Sequence, residues 1–91
     1  MNELSEIRDE IDSIDEKILS LLEQRFSLMP NVADCKKQEK IKTLDKKREQ
    51  EIILEKISIA ENKNIDKKFV ISLFELIMNE SKKIQKNYLN K

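Results

Sequence analysis

Leu4, Ile7, Ile11, Ile14, Ile18, Leu21, Leu28, Val32 and Cys35 recur in steps of three and four, with one gap between Leu21 and Leu28. That spacing lays an apolar seam along one face of a long helix. The position that completes the series is occupied by Arg25. The seam predicts a first helix from about Ser5, a plausible N-cap, to about Gln38. Pro30 removes a backbone donor and presses on the carbonyl of Phe26, so a kink is expected there. The alternative is a helix that stops near Met29 and restarts. The kink is favoured because Leu28, Val32 and Cys35 keep the phase of the seam.

The polar stretch Glu39–Lys42 reads as a connection, and a second helix follows from about Thr43 or Leu44 to about Ala60, with Thr43 as a candidate cap. A second polar loop, Glu61–Asn64, leads to a third helix from about Asp66 to about Leu89, capped by Asn64 or Asp66. Its stripe reads Val70, Leu73, Phe74, Ile77, Ser81, Ile84 and Tyr88. The first helix would be ~50 Å long at 1.5 Å per residue. Two shorter helices of the same chain cannot cover all of it, so its N-terminal half needs a partner. A homodimer in which the long helices pack together meets that need.

The composition supports an all-α reading. The chain has 91 residues, no Gly and one Pro, which disfavours tight hairpin turns. One domain, residues 1–91, is the default at this length. Charged residues make up 40% of the chain, yet the regular apolar spacing argues for helices with solvated outer faces rather than disorder. Lys plus Arg equals Asp plus Glu at 18 each, so nothing in the balance points to nucleic acid. Lys82, Lys83, Lys86 and Lys91 read as a solvated helix end, where cations are favourable. A lone cysteine, Cys35, makes no internal disulfide and suits a reducing interior, the cytoplasm. It reads as a small seam residue rather than a nucleophile. The charged N-terminus and the lack of a long apolar run give no sign of a signal peptide or a membrane span. With no His, a Ser-His-Asp relay is impossible, and imidazole-based or thiolate-based metal sites are excluded in practice.

Several polar residues interrupt the apolar faces. An unpaired buried guanidinium costs several kcal/mol, so Arg25 calls for an anion. Lys36, eleven residues on, returns to within ~20° of the same face about three turns away. Two cations facing inward suggest a pocket for a small anion. Ser81 and Gln85 lie one turn apart on the third helix and offer neutral hydrogen-bonding groups. Asp45, Arg48 and Glu49 cluster at the start of the second helix. Arg8 lies ~25 Å along the axis from Arg25 and ~100° away around it, so it cannot serve the same pocket within one chain. In a dimer it could reach the partner's. Taken singly, each has a plainer reading: a structural salt bridge at Arg25, a snorkelling Lys36, a buried interhelical hydrogen bond at Ser81 or Gln85, local ion pairs around Arg48, an exposed Arg8. Their joint occurrence is harder to dismiss.

Leu4-x-x-Ile7-Arg8-x-x-Ile11-Asp12-x-Ile14-Asp15, Leu21-Leu22-x-x-Arg25, Val32-Ala33-x-x-Lys36, Asp45-x-x-Arg48-Glu49 and Leu73-Phe74-x-x-Ile77-x-x-x-Ser81-x-x-x-Gln85 follow in order along nearly the whole chain. Each piece is weak alone, but the ordered set resembles the all-helical type of chorismate mutase, and the absence of a further domain resembles its monofunctional form. The resemblance implies an intertwined homodimer of three-helix chains that rearranges chorismate to prephenate, towards phenylalanine and tyrosine, without cofactor or metal. By motif position, Arg25 and Arg8 of the partner subunit would hold the two substrate carboxylates. Lys36 and Gln85 would donate to the ether oxygen, and Glu49 would accept from the ring hydroxyl. Arg48, Asp45 and Ser81 would complete the wall. Pro30 departs from the pattern between Arg25 and Lys36, on whose relative placement the site depends.

Three rival readings remain: an isochorismate-pyruvate lyase of the same fold, a non-catalytic helical dimerisation module, and a promiscuous enzyme with weak activity of both kinds. The Asp45-x-x-Arg48-Glu49 cluster favours the mutase over the lyase. The full set of pocket residues speaks against a pure scaffold.

Overall fold

A computed structural model of the chain describes residues 3–90. Lys91, last of the expected basic helix end, lies outside them. The described residues form helices α1 (Glu3–Ser27), α2 (Met29–Gln38), α3 (Lys46–Asn62) and α4 (Lys67–Leu89), with no strand among them. The first helix of the sequence reading is thus divided at Leu28. This residue keeps helical dihedrals (φ −83°, ψ −12°), so α1 and α2 make one long arm with a single-residue turn in it. Pro30 sets the division. A continuous helix would need its missing N–H, whereas in the first turn of α2 that donor is not required. The Leu28 N–H reaches back to the Arg25 carbonyl at 3.2 Å, and the Leu28 carbonyl accepts from Val32 at 3.0 Å.

The remaining boundaries follow capping chemistry. Ser5 lies inside α1 rather than at its cap. α3 is capped by Asp45, whose carboxylate accepts from the Arg48 N–H at 3.2 Å, so the expected start at Thr43 or Leu44 moves to Lys46. Asp66 caps α4 in the same way, accepting from the Phe69 N–H at 3.0 Å. α2 and α3 both end in a Schellman motif. Lys40 (φ 60°) and Asn64 (φ 57°) take the left-handed position that glycine usually fills. The Ile41 N–H bonds to the Lys36 carbonyl at 2.7 Å, and the Ile65 N–H to the Ala60 carbonyl at 3.0 Å.

α4 is the central element and packs against both α2 and α3. Met29 and Ala33 of α2, Ile52 and Ala60 of α3, and Val70, Ile77 and Met78 of α4 form the core. α1 buries no residue, although it carries most of the predicted seam. Ile7, Ile11, Ile14, Ile18 and Leu21 are 44–63% exposed. Cys35, also placed on the seam, is exposed in the single chain because no helix faces it. The chain extends 56 × 30 × 15 Å with a radius of gyration of 16.7 Å. A compact chain of this length would have about 12 Å.

Candidate functional site

A cavity of about 180 Å³ lies where the end of α1, α2 and the loop after it meet α3 and α4. Arg25, Lys36, Asp45, Arg48, Glu49, Ser81 and Gln85 all line it, together with Met29, Val32, Thr43, Ile52, Met78 and Lys82. Seven of the eight residues singled out in the sequence therefore converge on one space. The eighth, Arg8, is exposed on α1 and does not line it.

Each wall is set by its helix. Arg25 stands in the last turn of α1, and its Nη1 donates to Ser81 Oγ at 2.5 Å. The Ser81 hydroxyl donates in turn to the Ile77 carbonyl, one turn back on α4, at 2.8 Å. Ser81, only 5% exposed, is thereby satisfied as both donor and acceptor. Burial, and then the charge of Arg48, lowers the Arg25 pKa below the usual guanidinium value. The hydroxyl orients the guanidinium without neutralising it.

Lys36 lies in the last turn of α2. Its Nζ donates to the Thr43 carbonyl at 2.8 Å and to Gln85 Oε1 at 3.1 Å. An ammonium has three donors, so these two bonds leave one for a ligand. Desolvation lowers the Lys36 pKa from 10.5, and Lys82 adds to that, while Asp45 and Glu49 pull it upward. Both inward cations thus carry a net electrostatic penalty that an anion in the cavity would relieve.

The buried Gln85 (4% exposed) turns its Nε2 to Met29 Sδ at 3.5 Å. Sulfur is a weak acceptor, so this N–H is readily given to a better one. Asp45 serves the α3 cap and the cavity wall at once. Arg48, with a 56% exposed side chain, makes a loose 3.8 Å pair with Glu51. Glu49 is held more firmly, 3.0 Å from Lys82 Nζ.

Lys82 corrects the sequence reading. It is not part of a solvated helix end but faces the cavity. The available signal was the i, i+4, i+7 row Met78, Lys82 and Gln85, displaced by one residue from the Ile77–Ser81 stripe. The Thr43 carbonyl had no signal at all, because a loop carbonyl carries no residue type.

A cavity lined by four cations, two carboxylates and neutral donors suits a small anionic ligand held by hydrogen bonds and charge. That defines a class of helical small-molecule site that can act on a ligand by positioning and electrostatics. Residues 7–86 match the family model for chorismate mutase type II, and the chain belongs to that family. It is 37% identical over 89 residues to a chorismate mutase of Methanocaldococcus jannaschii, covering 98% of this chain and 90% of that protein. It is 37% identical over 91 residues to a bifunctional chorismate mutase/prephenate dehydratase of Buchnera aphidicola from Schizaphis graminum, of which it spans 23%. Identity to the bifunctional chorismate mutase/prephenate dehydratase of Escherichia coli K12 is 30% over 80 residues, spanning 21% of that protein.

Proposed function

We propose that the chain catalyses the rearrangement of chorismate to prephenate, acting as a homodimer in the cytoplasm. Family membership carries the reaction. The observation that supports the site is the convergence of Arg25 and Lys36, anchored by Ser81 and Gln85, on one cavity. The reaction has one substrate and is pericyclic: a C–O bond breaks as a C–C bond forms, with no proton transferred and no nucleophile required. Catalysis then has two parts. Arg25 and Arg8 of the partner subunit clamp the two carboxylates and hold the enolpyruvyl arm folded over the ring. Lys36 and Gln85 donate to the ether oxygen as negative charge grows on it, an interaction stronger in the transition state than in the ground state. For this, the Gln85 amide exchanges Met29 Sδ for the substrate oxygen. Glu49 accepts from the ring hydroxyl, while Arg48, Asp45 and Ser81 complete the wall.

The dimer is supported by surface. The chain exposes 7615 Å², against roughly 5,500 Å² for a compact monomer of 10.8 kDa. The excess of about 2,000 Å² per chain is of the size that obligate dimers bury. It sits with the apolar seam of α1, next to Arg8. This pairing brings Arg8 to a site it cannot reach in its own chain.

The test is to incubate the purified chain separately with chorismate and isochorismate and identify the products by chromatography. Prephenate from chorismate is the expected result. Pyruvate and salicylate from isochorismate, without prephenate, would move the assignment to a lyase. No turnover of either by a folded protein would leave a binding module.

A further inference from the structure

Lys82 has no part in the roles assigned above, yet it occupies the wall of the cavity. It follows Ser81 on α4 and reaches Glu49 on α3, with Nζ 3.0 Å from Oε2. Both side chains are largely shielded, 23% and 27% exposed. The other ion pairs among the described residues, Arg48–Glu51 and Lys56–Glu55, lie within α3 and are longer, at 3.8 and 3.7 Å. Lys82–Glu49 instead joins two helices across the site. Arg48 cannot take its place, since its side chain is mostly exposed and turned to Glu51.

Glu49 faces a problem that this pair solves. A lone carboxylate on the wall would repel a dianionic ligand, and a free glutamate has three rotatable torsions to sample. An ammonium held against one oxygen compensates the charge and fixes the rotamer. The other oxygen keeps its lone pairs for a donor in the cavity.

Resting on the mutase reading, we propose that Lys82 is a positioning residue that holds the Glu49 carboxylate aimed at the ring hydroxyl of the substrate and offsets its charge. Lys82 acts through Glu49 and on binding. Its loss therefore raises KM more than it lowers kcat, and has little further effect once Glu49 can no longer accept as an anion.

The experiment is a double-mutant cycle of Lys82→Met and Glu49→Gln, with kcat and KM for chorismate measured on each and helicity checked by circular dichroism. Lys82→Met is expected to raise KM about tenfold with kcat within about threefold of wild type. Lys82→Arg, which preserves the charge and the stem, is expected to restore KM to within about threefold and serves as the reference for folding. The double variant should be no worse than Glu49→Gln within about twofold, because coupled residues are not additive. Losses that multiply in the double variant, or a Lys82→Met enzyme with wild-type KM, would overturn the positioning role while leaving the mutase reading intact. A Glu49→Gln enzyme as active as wild type would overturn the assigned role of Glu49, and this inference with it.

Discussion

Replacing Lys36 by methionine removes one ammonium and keeps most of the aliphatic stem. The developing charge on the ether oxygen, taken as about half an electron ~3 Å from Nζ, interacts with it by roughly 3 kcal/mol at an effective dielectric of ~20. Loss of a single preorganised oxyanion donor has a similar effect, about 10²–10³ in kcat. Lys36→Met should therefore lower kcat/KM by about 10²–10³, mainly through kcat. Its effect on folding is of another kind. The folded-state pKa of Lys36 is depressed below 10.5, with desolvation the leading cause. A depressed lysine pKa means the charged form is better solvated in the unfolded chain. The penalty is therefore fully present at neutral pH and disappears only above the unfolded pKa. Removing the ammonium relieves it. Against this stands the loss of hydrogen bonds to the Thr43 carbonyl and Gln85 Oε1, worth about 1 kcal/mol each. The two effects oppose, so Tm should shift by no more than about 4–8 °C in either direction. The assays are steady-state loss of chorismate absorbance and a thermal melt at matched protein concentration. A folded Lys36→Met protein that retains more than about a tenth of wild-type kcat/KM would refute the reasoning.

In the proposed mechanism the same residue sets the alkaline limb of the pH profile. A donating Lys36 must be protonated, so kcat/KM should fall as pH rises through a midpoint below 10.5, and a profile flat beyond that value would exclude Lys36 as the donor. Ser81→Ala removes the acceptor that orients Arg25 Nη1, a charge-assisted bond worth about 1.5 kcal/mol, so KM should rise about tenfold while α4 remains helical. An unchanged KM would show that Arg25 does not depend on Ser81. Ile11→Glu places a charge in the middle of the exposed α1 seam and should convert the proposed dimer to monomers in sedimentation, with loss of activity. A fully active dimeric Ile11→Glu protein would show that the seam is not the interface.

Much of the fold was legible in the sequence because helix faces are a local property. Val70, Ile77 and Ser81 lie on the predicted stripe and are buried, and Gln85 one turn on is buried with them. The loops fell close to their expected places because α2 and α3 end where polar runs begin, and asparagine and lysine adopt the left-handed turns without glycine. Periodicity does not resolve which way each polar residue turns or what covers an apolar face. Asp45 reads as a pocket residue from its spacing with Arg48 and Glu49, and the structure makes its carboxylate the α3 cap as well. Cys35 falls on the seam, but the single chain builds no core around it. Lys82 reads as solvated with its basic neighbours but turns to Glu49, because charge content near a helix end says nothing of which way one side chain points.

The sequence by itself determined the helices, the apolar seam and the inward positions of Arg25 and Lys36. Periodicity depends only on the chain's own order and holds whatever lies opposite. The tertiary structure decided what depends on the rotation and register of one helix against another. It turned Ser81 to Arg25 and Gln85 to Lys36, brought in the Thr43 carbonyl, and paired Lys82 with Glu49 across α4 and α3. Apart from the Thr43 bond, these contacts join residues dozens of positions apart, and no local spacing encodes them until the core has set the helices in place.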